Sequence, residues 1–181
     1  MLNDDARRAL LSIARASIRA AAEGADPDIA VPGIPELQGP GAAFVTLRAD
    51  GALRGCIGHL AAEQPLWISV REMAVAAATR DDRFSPIAPD ELPGLEVEIS
   101  VLSPRKRVGG PAHVVIGRDG LYVRRGPNSG LLLPQVATEH AWSGEEFLAQ
   151  ACKKAGLPID AWRDPATVIE TFTAEVFGED S

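Results

Sequence analysis

Cysteine, aromatic residues and long apolar runs are all scarce in this chain of 181 residues. Cys56 and Cys152 are its only cysteines, too few for the disulfide framework of a small secreted domain, so we expect two free thiols. No stretch is apolar and long enough to cross a bilayer, and the N-terminal residues lack the apolar core of a signal peptide. The expected location is therefore the cytoplasm, with no membrane as a partner.

Positive charge is also in short supply. The chain has 18 Lys and Arg against 25 Asp and Glu, which gives a formal net charge of -7. Nucleic-acid binding needs clustered cations that neutralise phosphates, so we expect no nucleic-acid partner. Three short basic segments are local exceptions: Arg105-Lys106-Arg107, Arg124-Arg125 and Lys153-Lys154.

The sequence also has little that would hold a metal or a nucleotide cofactor. Its three histidines, His59, His113 and His140, have no paired metal-ligand spacing, and no Cys-x-x-Cys pair is present. The glycine-rich stretch from Gly126 to Gly130 lacks both the Gly-Lys-Ser/Thr ending of a phosphate-binding loop and a dinucleotide fingerprint, so we interpret it as a turn. We therefore predict no metal and no cofactor.

Apolar residues make up 46% of the chain, enough for a substantial core, and their spacing indicates an α+β fold. Helical spacing predicts helices over residues 4–23, 65–80 and 143–155. The first follows an Asn/Asp cap that begins at Asn3, and the last begins with a capping-box signature of Ser143 with Glu146. The proline-rich stretch 25–41 cannot form a regular element.

Strands are predicted from turn signals and alternation. Asp50-Gly51 and Asp119-Gly120 each indicate a tight hairpin, the second between residues 114–117 and 121–123. Alternation over 95–101 is typical of a strand with one buried face. Two further β segments are expected, a short one over 131–133 after an Asn-Ser-Gly turn and a long one over 167–177.

The most distinctive segment is Leu53-Arg-Gly-Cys-Ile-Gly-His-Leu60, which follows the first predicted hairpin turn. A two-residue turn places Leu47 opposite Arg54 and Val45 opposite Cys56, so that Arg54 and Cys56 share one face. Both faces of this strand carry apolar groups. A guanidinium in a covered layer needs an acidic partner or an anionic ligand.

This arrangement makes Cys56 and Arg54 the candidate catalytic residues, because a nearby positive charge favours the nucleophilic thiolate. The alternative is that Cys56 only fills a small buried space. A Cys56 and His59 pair is less favoured, since a spacing of three on a strand directs the side chains to opposite faces unless a bulge or strand end intervenes. Whether the chain is an enzyme stays open.

Further candidate ligand-binding residues flank the cysteine or lie farther along the chain. They are Gly55, Gly58, His59, Arg83, Gln135, Glu139 and Trp142. Glycines permit close backbone approach, and an acid beside an indole can bind a polar planar ligand. The alternatives are that Trp142 packs in a core and that Arg83 anchors its own loop through Asp81 or Asp82.

Five motifs in order make this sequence closely resemble the AMMECR domain family, whose prokaryotic members are called AmmeMemoRadiSam system protein A. The motifs are Leu53-Arg-Gly-Cys-Ile-Gly58, Asp81-Asp-Arg-Phe84, Ile99-Ser-Val-Leu-Ser-Pro104, Gly130-Leu-Leu-Leu-Pro-Gln-Val136 and Lys154-Ala-Gly-Leu157. Asp82 departs from the family pattern, which often has proline there. The resemblance implies a single AMMECR-type domain over residues 1–181, with mainly antiparallel sheet flanked by helices and the LRGCIG motif near a cleft between two lobes.

The resemblance also implies partners, a radical S-adenosylmethionine protein and a Memo-domain protein, because prokaryotic relatives are encoded beside them. The expected function is binding of a small polar or anionic ligand at a cleft around the LRGCIG motif, in concert with those partners. The alternative is a non-enzymatic scaffold or adaptor in which the motif is structural. The family supplies no established catalytic residues, so Arg54 and Cys56 rest on the physical argument alone.

Overall fold

An antiparallel sheet flanked by helices is present in each of the two units into which this computed structural model divides, as the α+β prediction requires. Residues 1–179 are described. Unit 1 consists of Met1–Leu102 and the segment that begins at Glu175, and unit 2 consists of Ser103–Ala174. The predicted interlobe cleft stays a prediction.

Two helices form one layer of unit 1, and both were predicted. Helix α1 spans Asp4–Ala22 and helix α2 spans Leu66–Thr79. The Asn3 side chain caps α1 by accepting a hydrogen bond from the Ala6 amide at 2.8 Å. The stretch between α1 and the first strand is irregular apart from a short 3-10 turn at Pro35–Leu37, as its prolines predicted.

The sheet of unit 1 contains β1 (Ala42–Ala49), β2 (Ala52–Gly58) and β3 (Leu95–Leu102), in the order β2-β1-β3. Asp50 and Gly51 have φ values of 51° and 75°, which suits the tight hairpin predicted there. One face of this sheet packs with both helices into a single core. The buried strand residues of that core are Ala43, Val45, Leu47, Leu95, Val97 and Ile99.

The predicted register of the first hairpin is wrong because β2 contains a bulge. Arg48 faces Leu53 but Leu47 faces Gly55, which leaves Arg54 as the extra residue. Cys56 therefore lies opposite Thr46 rather than Val45. The turn was predicted correctly, and the extra residue shifts every partner beyond it by one position.

Unit 2 has its own sheet, formed by β4 (Lys106–Arg107), β5 (Asp119–Arg125), β6 (Asn128–Leu132) and the first part of β7 (Val168–Gly178). Within the unit the order is β4-β7-β5-β6, all antiparallel. Two helices flank the sheet, the predicted α4 (Gly144–Lys154) and a short α3 (Pro134–Glu139) that was not predicted. Ser143 and Glu146 form the predicted capping box of α4.

The second predicted hairpin is wrong: Asp119 and Gly120 lie inside β5, and the turn is at Gly126 and Pro127 instead. The Asp119 carboxylate is buried, accepts a hydrogen bond from the Val115 amide at 2.9 Å and is paired with Arg118. Gly120 lies against the ring of Phe172, where a Cβ atom would lie 2.3 Å from a ring carbon. This Asp-Gly pair therefore serves packing and not chain reversal.

Two smaller expectations in the same region are also wrong. Residues 114–117 form no strand, and Asn128, Ser129 and Gly130 belong to β6 rather than to a turn. The long final strand was predicted, and its last residues return to unit 1. Among the helices of residues 1–179, none combines the length and apolarity that a membrane crossing requires.

Candidate functional site

The face of the unit 1 sheet opposite its core carries a row of polar side chains that includes Cys56. Pairing across the strands places Cys56 beside Thr46, and Thr46 beside Glu98. The Thr46 hydroxyl lies 3.3 Å from the Cys56 sulfur, within hydrogen-bond distance for sulfur. Thr46 is buried, whereas Cys56 and Glu98 are half-buried. A thiol, a hydroxyl and a carboxylate thus lie side by side.

The next row on this face is formed by Gly58, Phe44 and Ser100. A Cβ atom on Gly58 would lie 2.1 Å from a carbon of the Phe44 ring, so the glycine provides the space that the ring occupies. Ser100 is buried and adds a second hydroxyl. We call Thr46, Cys56, Glu98 and Ser100 the thiol face.

Asp81, just after α2, holds the outer edge of β2 beside Cys56. Its Oδ2 atom accepts a hydrogen bond from the Cys56 amide at 2.8 Å, a donor that the outer strand would otherwise leave without a strand partner. The side chain is only 3% exposed and is paired with Arg83 at 2.6 Å. The hydrogen bond from Arg83, helped by the backbone amides of Cys56 and Arg83, lowers the pKa of Asp81 well below its usual range despite burial.

The Arg83 guanidinium contacts the backbone of Cys56. Its Nη2 atom donates to the Cys56 carbonyl at 3.4 Å while also bonding Asp81. The hydrogen bond to Asp81 raises the pKa of Arg83. The Arg83 side chain is 53% exposed, and none of residues 1–179 accepts a hydrogen bond from its Nη1 atom.

Arg54 has the acidic partner that its position demanded. Its Nε and Nη2 atoms donate to the two carboxylate oxygens of Glu91 at 2.7 and 2.9 Å, and Nη1 donates to the Ser85 carbonyl at 2.9 Å. The Glu91 hydrogen bond raises the pKa of Arg54 and lowers the pKa of Glu91. Within the described chain no hydrogen bond joins Arg54 to Cys56, so activation of the thiol by Arg54 stays a prediction.

Sequence reasoning did not find Glu91, Thr46, Glu98 or Ser100. The sequence predicted that Arg54 needs an acidic partner or an anionic ligand, but Glu91 is 37 positions away along the chain. A local signal for it exists, because Glu91 also accepts from the Ala88 amide at 2.9 Å, three residues earlier, as capping residues do. Thr46 is the cross-strand neighbour of Cys56 because the bulge in β2 shifts the register by one residue.

The other sequence candidates in unit 1, Gly55 and His59, make local contacts. A Cβ atom on Gly55 would lie 2.4 Å from the Ala77 carbonyl oxygen, so this glycine allows α2 to approach β2. His59 Nδ1 lies 2.7 Å from the Ala61 carbonyl and donates to it, since a carbonyl can only accept. Its Nε2 atom is buried and has no partner among residues 1–179.

The remaining candidates, Gln135, Glu139 and Trp142, belong to unit 2. Gln135 and Glu139 are exposed on α3. Trp142 is half-buried, stacked on His140 with 4.6 Å between ring centroids, and packed against the core of the unit, which is the packing alternative.

Cys152 is buried in the same core as a free thiol, and burial raises its pKa. The structure therefore gathers Cys56 and Arg83 in unit 1, together with Thr46 and Asp81.

Comparisons with known proteins give a consistent result. The family model described as AMMECR1 matches residues 11–177. A protein of Methanothermobacter thermautotrophicus is 50% identical over 143 residues, covering 76% of this chain and 74% of that protein. Protein NEQ441 of Nanoarchaeum equitans is 40% identical over 178 residues, covering 94% of this chain and 99% of its own length.

A solved structure shares the fold. The crystal structure of the uncharacterized protein PH0010 from Pyrococcus horikoshii matches with a TM-score of 0.83 at 42% sequence identity. The match covers 94% of this chain and 90% of that chain.

Proposed function

Because this chain belongs to the AMMECR1 family, we propose that it binds a small polar or anionic ligand at the thiol face, with Cys56 as the reactive group. We further propose that it acts with a radical S-adenosylmethionine protein and a Memo-domain protein. The observation that carries the ligand proposal is the half-buried Cys56 thiol, hydrogen-bonded to Thr46 and framed by Arg83.

The chemistry of the thiol face supports this type of ligand. The Thr46 and Ser100 hydroxyls both donate and accept, and the Glu98 carboxylate accepts. The exposed Arg83 guanidinium has an Nη1 atom that donates to none of the described residues and can bind an oxyanion. Arg54 is already satisfied by Glu91, so Arg83 is the cation available to a negatively charged ligand group.

The enzymatic form of the proposal makes Cys56 a nucleophilic or redox-active thiolate. Thiolate character is favoured by a neighbouring positive charge, and Arg83 contacts the Cys56 backbone. We expect Cys56 to react with iodoacetamide faster than free cysteine does at neutral pH, as measured by mass spectrometry of the Cys56 peptide. The buried Cys152 serves as the internal reference for folding.

The control pair for this measurement is Arg83→Gln against Arg80→Gln. Both arginines are exposed near the end of α2, but only Arg83 contacts Cys56. The proposal requires a slower reaction in Arg83→Gln and an unchanged one in Arg80→Gln. A native protein whose accessible Cys56 reacts no faster than free cysteine would remove the enzymatic form.

A non-enzymatic adaptor is the second candidate, and one observation favours it. Three residues in or beside the motif make contacts that stabilise the fold. Arg54 pairs with Glu91, Gly55 lies against the Ala77 carbonyl, and Asp81 accepts from the Cys56 amide. Copurification with the radical S-adenosylmethionine or Memo-domain protein of the same genome tests it. Partner capture that survives Cys56→Ser, combined with free-cysteine reactivity of Cys56, would favour the adaptor.

A further inference from the structure

Charge is distributed very unevenly between the two units. Unit 2 has nine Lys and Arg against seven Asp and Glu, a formal charge of +2. The rest of the chain has nine Lys and Arg against 18 Asp and Glu, a formal charge of -9. Two of the basic segments seen in the sequence, Arg105-Lys106-Arg107 and Arg124-Arg125, contribute to this excess in unit 2.

The sheet of unit 2 places arginines from both segments on one face. One face of the sheet is the core, with Leu121, Val123 and Ile169. On the other face, pairing places Arg107 beside Glu170 and Glu170 beside Tyr122. Arg124, two residues beyond Tyr122 on β5, lies on the same face. We call Arg105, Arg107, Tyr122, Arg124 and Glu170 the arginine face.

Arg105 belongs to this face through its contacts. Its guanidinium carbon lies 4.3 Å from the centroid of the Tyr122 ring, and its Nη1 atom lies 3.3 Å from a carboxylate oxygen of Glu170. A cation over an aromatic ring and beside a carboxylate is held on two sides. The one acid of the arginine face is thus already engaged by Arg105.

Arg107 and Arg124 are both exposed, and neither has an acidic partner among residues 1–179. By contrast, Arg118, Arg125 and Arg163 of the same unit are all paired with carboxylates. Within the described part of the chain, the arginine face therefore retains two guanidinium groups without an acidic partner, on either side of the half-buried Tyr122.

We propose that the arginine face binds an acidic segment of a partner protein. Arg107 and Arg124 lie on strands separated by β7, which places their Cα atoms roughly 12 Å apart, from strand spacings of about 4.8 Å and a rise of about 3.3 Å per residue. Carboxylates about four residues apart on an extended chain match that separation. This inference is independent of the thiol face, which lies in unit 1.

Charge also selects against a nucleic acid at the arginine face. Stable nucleic-acid binding requires neutralisation of several phosphates, and here two free arginines belong to a chain of net charge -7. Two suitably spaced carboxylates of a protein segment are enough to pair with both guanidinium groups, and the other residues of such a segment can be uncharged. An acidic protein segment is therefore the occupant that charge complementarity favours.

The test uses the full chain and a fluorescein-labelled peptide of about ten glutamates, long enough to cross four strands at about 4.8 Å each. Fluorescence anisotropy at low ionic strength measures its affinity. We expect binding that weakens with added salt and that falls at least tenfold in the double variant Arg107→Glu with Arg124→Glu. The double variant with glutamine in place of both arginines should show a smaller loss in the same direction.

The matched control is Lys153→Glu with Lys154→Glu. Both lysines are exposed at the end of α4, and the double substitution changes the net charge by the same amount. Affinity within about twofold of the parent chain is expected there, because the substitutions add only to the general repulsion between chain and peptide and remove no contact. Equal weakening in both double variants, no binding by the parent chain, or tighter binding of a ten-nucleotide RNA would each overturn the proposal.

Discussion

At the scale of single residues, Asp81 supports the strand that carries Cys56. Its carboxylate accepts hydrogen bonds from the Cys56 amide, from the Arg83 amide at 3.3 Å and from the Arg83 side chain. A buried carboxylate without partners would be costly, and Arg83 supplies the compensating charge. The position of Cys56 therefore depends on an ion pair outside the sheet.

This dependence predicts how stability changes with pH. The pKa of Asp81 in the folded protein is lowered below the unfolded value of about 4. Its ionised form therefore contributes stability above about pH 4, and that contribution is lost as the pH falls through the lower folded pKa. Asp81→Asn should destabilise the protein by about 2 kcal/mol at pH 7 and flatten the loss of stability on acidification.

Urea unfolding at a series of pH values measures both effects. Asp90→Asn is the control, because Asp90 is exposed and has no ion pair in the described chain. Stability curves for Asp81→Asn and the parent that stay parallel from neutral to acidic pH would contradict this account.

At the scale of elements, β2 and α2 approach each other closely because small residues lie between them. Gly55 presents no side chain to α2, and the core residues in the second half of α2 are the small Ala74, Ala77 and Ala78. The same bulge that displaces Arg54 brings Gly55 into line with Leu47. The bulge at Arg54 and the close approach of Gly55 to α2 are thus linked in this hairpin.

Gly55→Ala tests that coupling. The added methyl group would meet a backbone oxygen at 2.4 Å, and a carbonyl within a helix cannot rotate away, so either β2 or α2 must shift. We expect a loss of about 2 kcal/mol in the free energy of unfolding, measured by urea denaturation. Gly39→Ala is the matched control, since no atom of residues 1–179 lies within 4 Å of its added Cβ. A similar loss in both variants would refute the steric explanation.

The sequence revealed the elements whose signals are local. Asn3 and Ser143 marked the starts of α1 and α4, and Asp50-Gly51 marked the first hairpin. The six-residue α3 is too short for helical periodicity to show. Asp119 carries a turn signal, yet it lies in β5, where its buried carboxylate accepts from the Val115 amide and pairs with the exposed Arg118.

The candidate site was predictable only in part, because its geometry depends on distant residues. The need of Arg54 for an acid follows from burial, but its identity as Glu91 depends on how the chain returns to β2. The bulge at Arg54 determined that Thr46 is the neighbour of Cys56, and a turn signal fixes only the pairs next to the turn.

At the scale of the whole molecule, unit 1 is assembled from two separate parts of the chain. Residues of β7 from Glu175 onward belong to it, although the preceding part of the strand belongs to unit 2. Phe177 is only 6% exposed and joins the core of unit 1, and Glu175 accepts from the Leu2 amide and pairs with Arg7. Unit 1 is therefore incomplete without this segment.

Phe177→Ala measures how much the segment from Glu175 onward stabilises unit 1. Removing a buried aromatic ring costs about 3–5 kcal/mol, so a large decrease in the urea midpoint is expected. Val176→Ala is the control from the same strand, because Val176 is 51% exposed and should cost well under about 1 kcal/mol. Equal decreases in the two variants would contradict a role of Phe177 in the core.

The division of unit 1 has a consequence for biosynthesis. At about 5–20 residues per second, residues 175–178 leave the ribosome roughly 4 to 15 seconds after Leu102. During that interval the nascent unit 1 lacks Phe177 and exposes the apolar surface that this ring covers. Unit 2 is continuous in sequence, so no part of it is separated from the rest by the synthesis of another unit. The unit that is translated first is thus the last to be finished, and it is the one that a chaperone would have to protect.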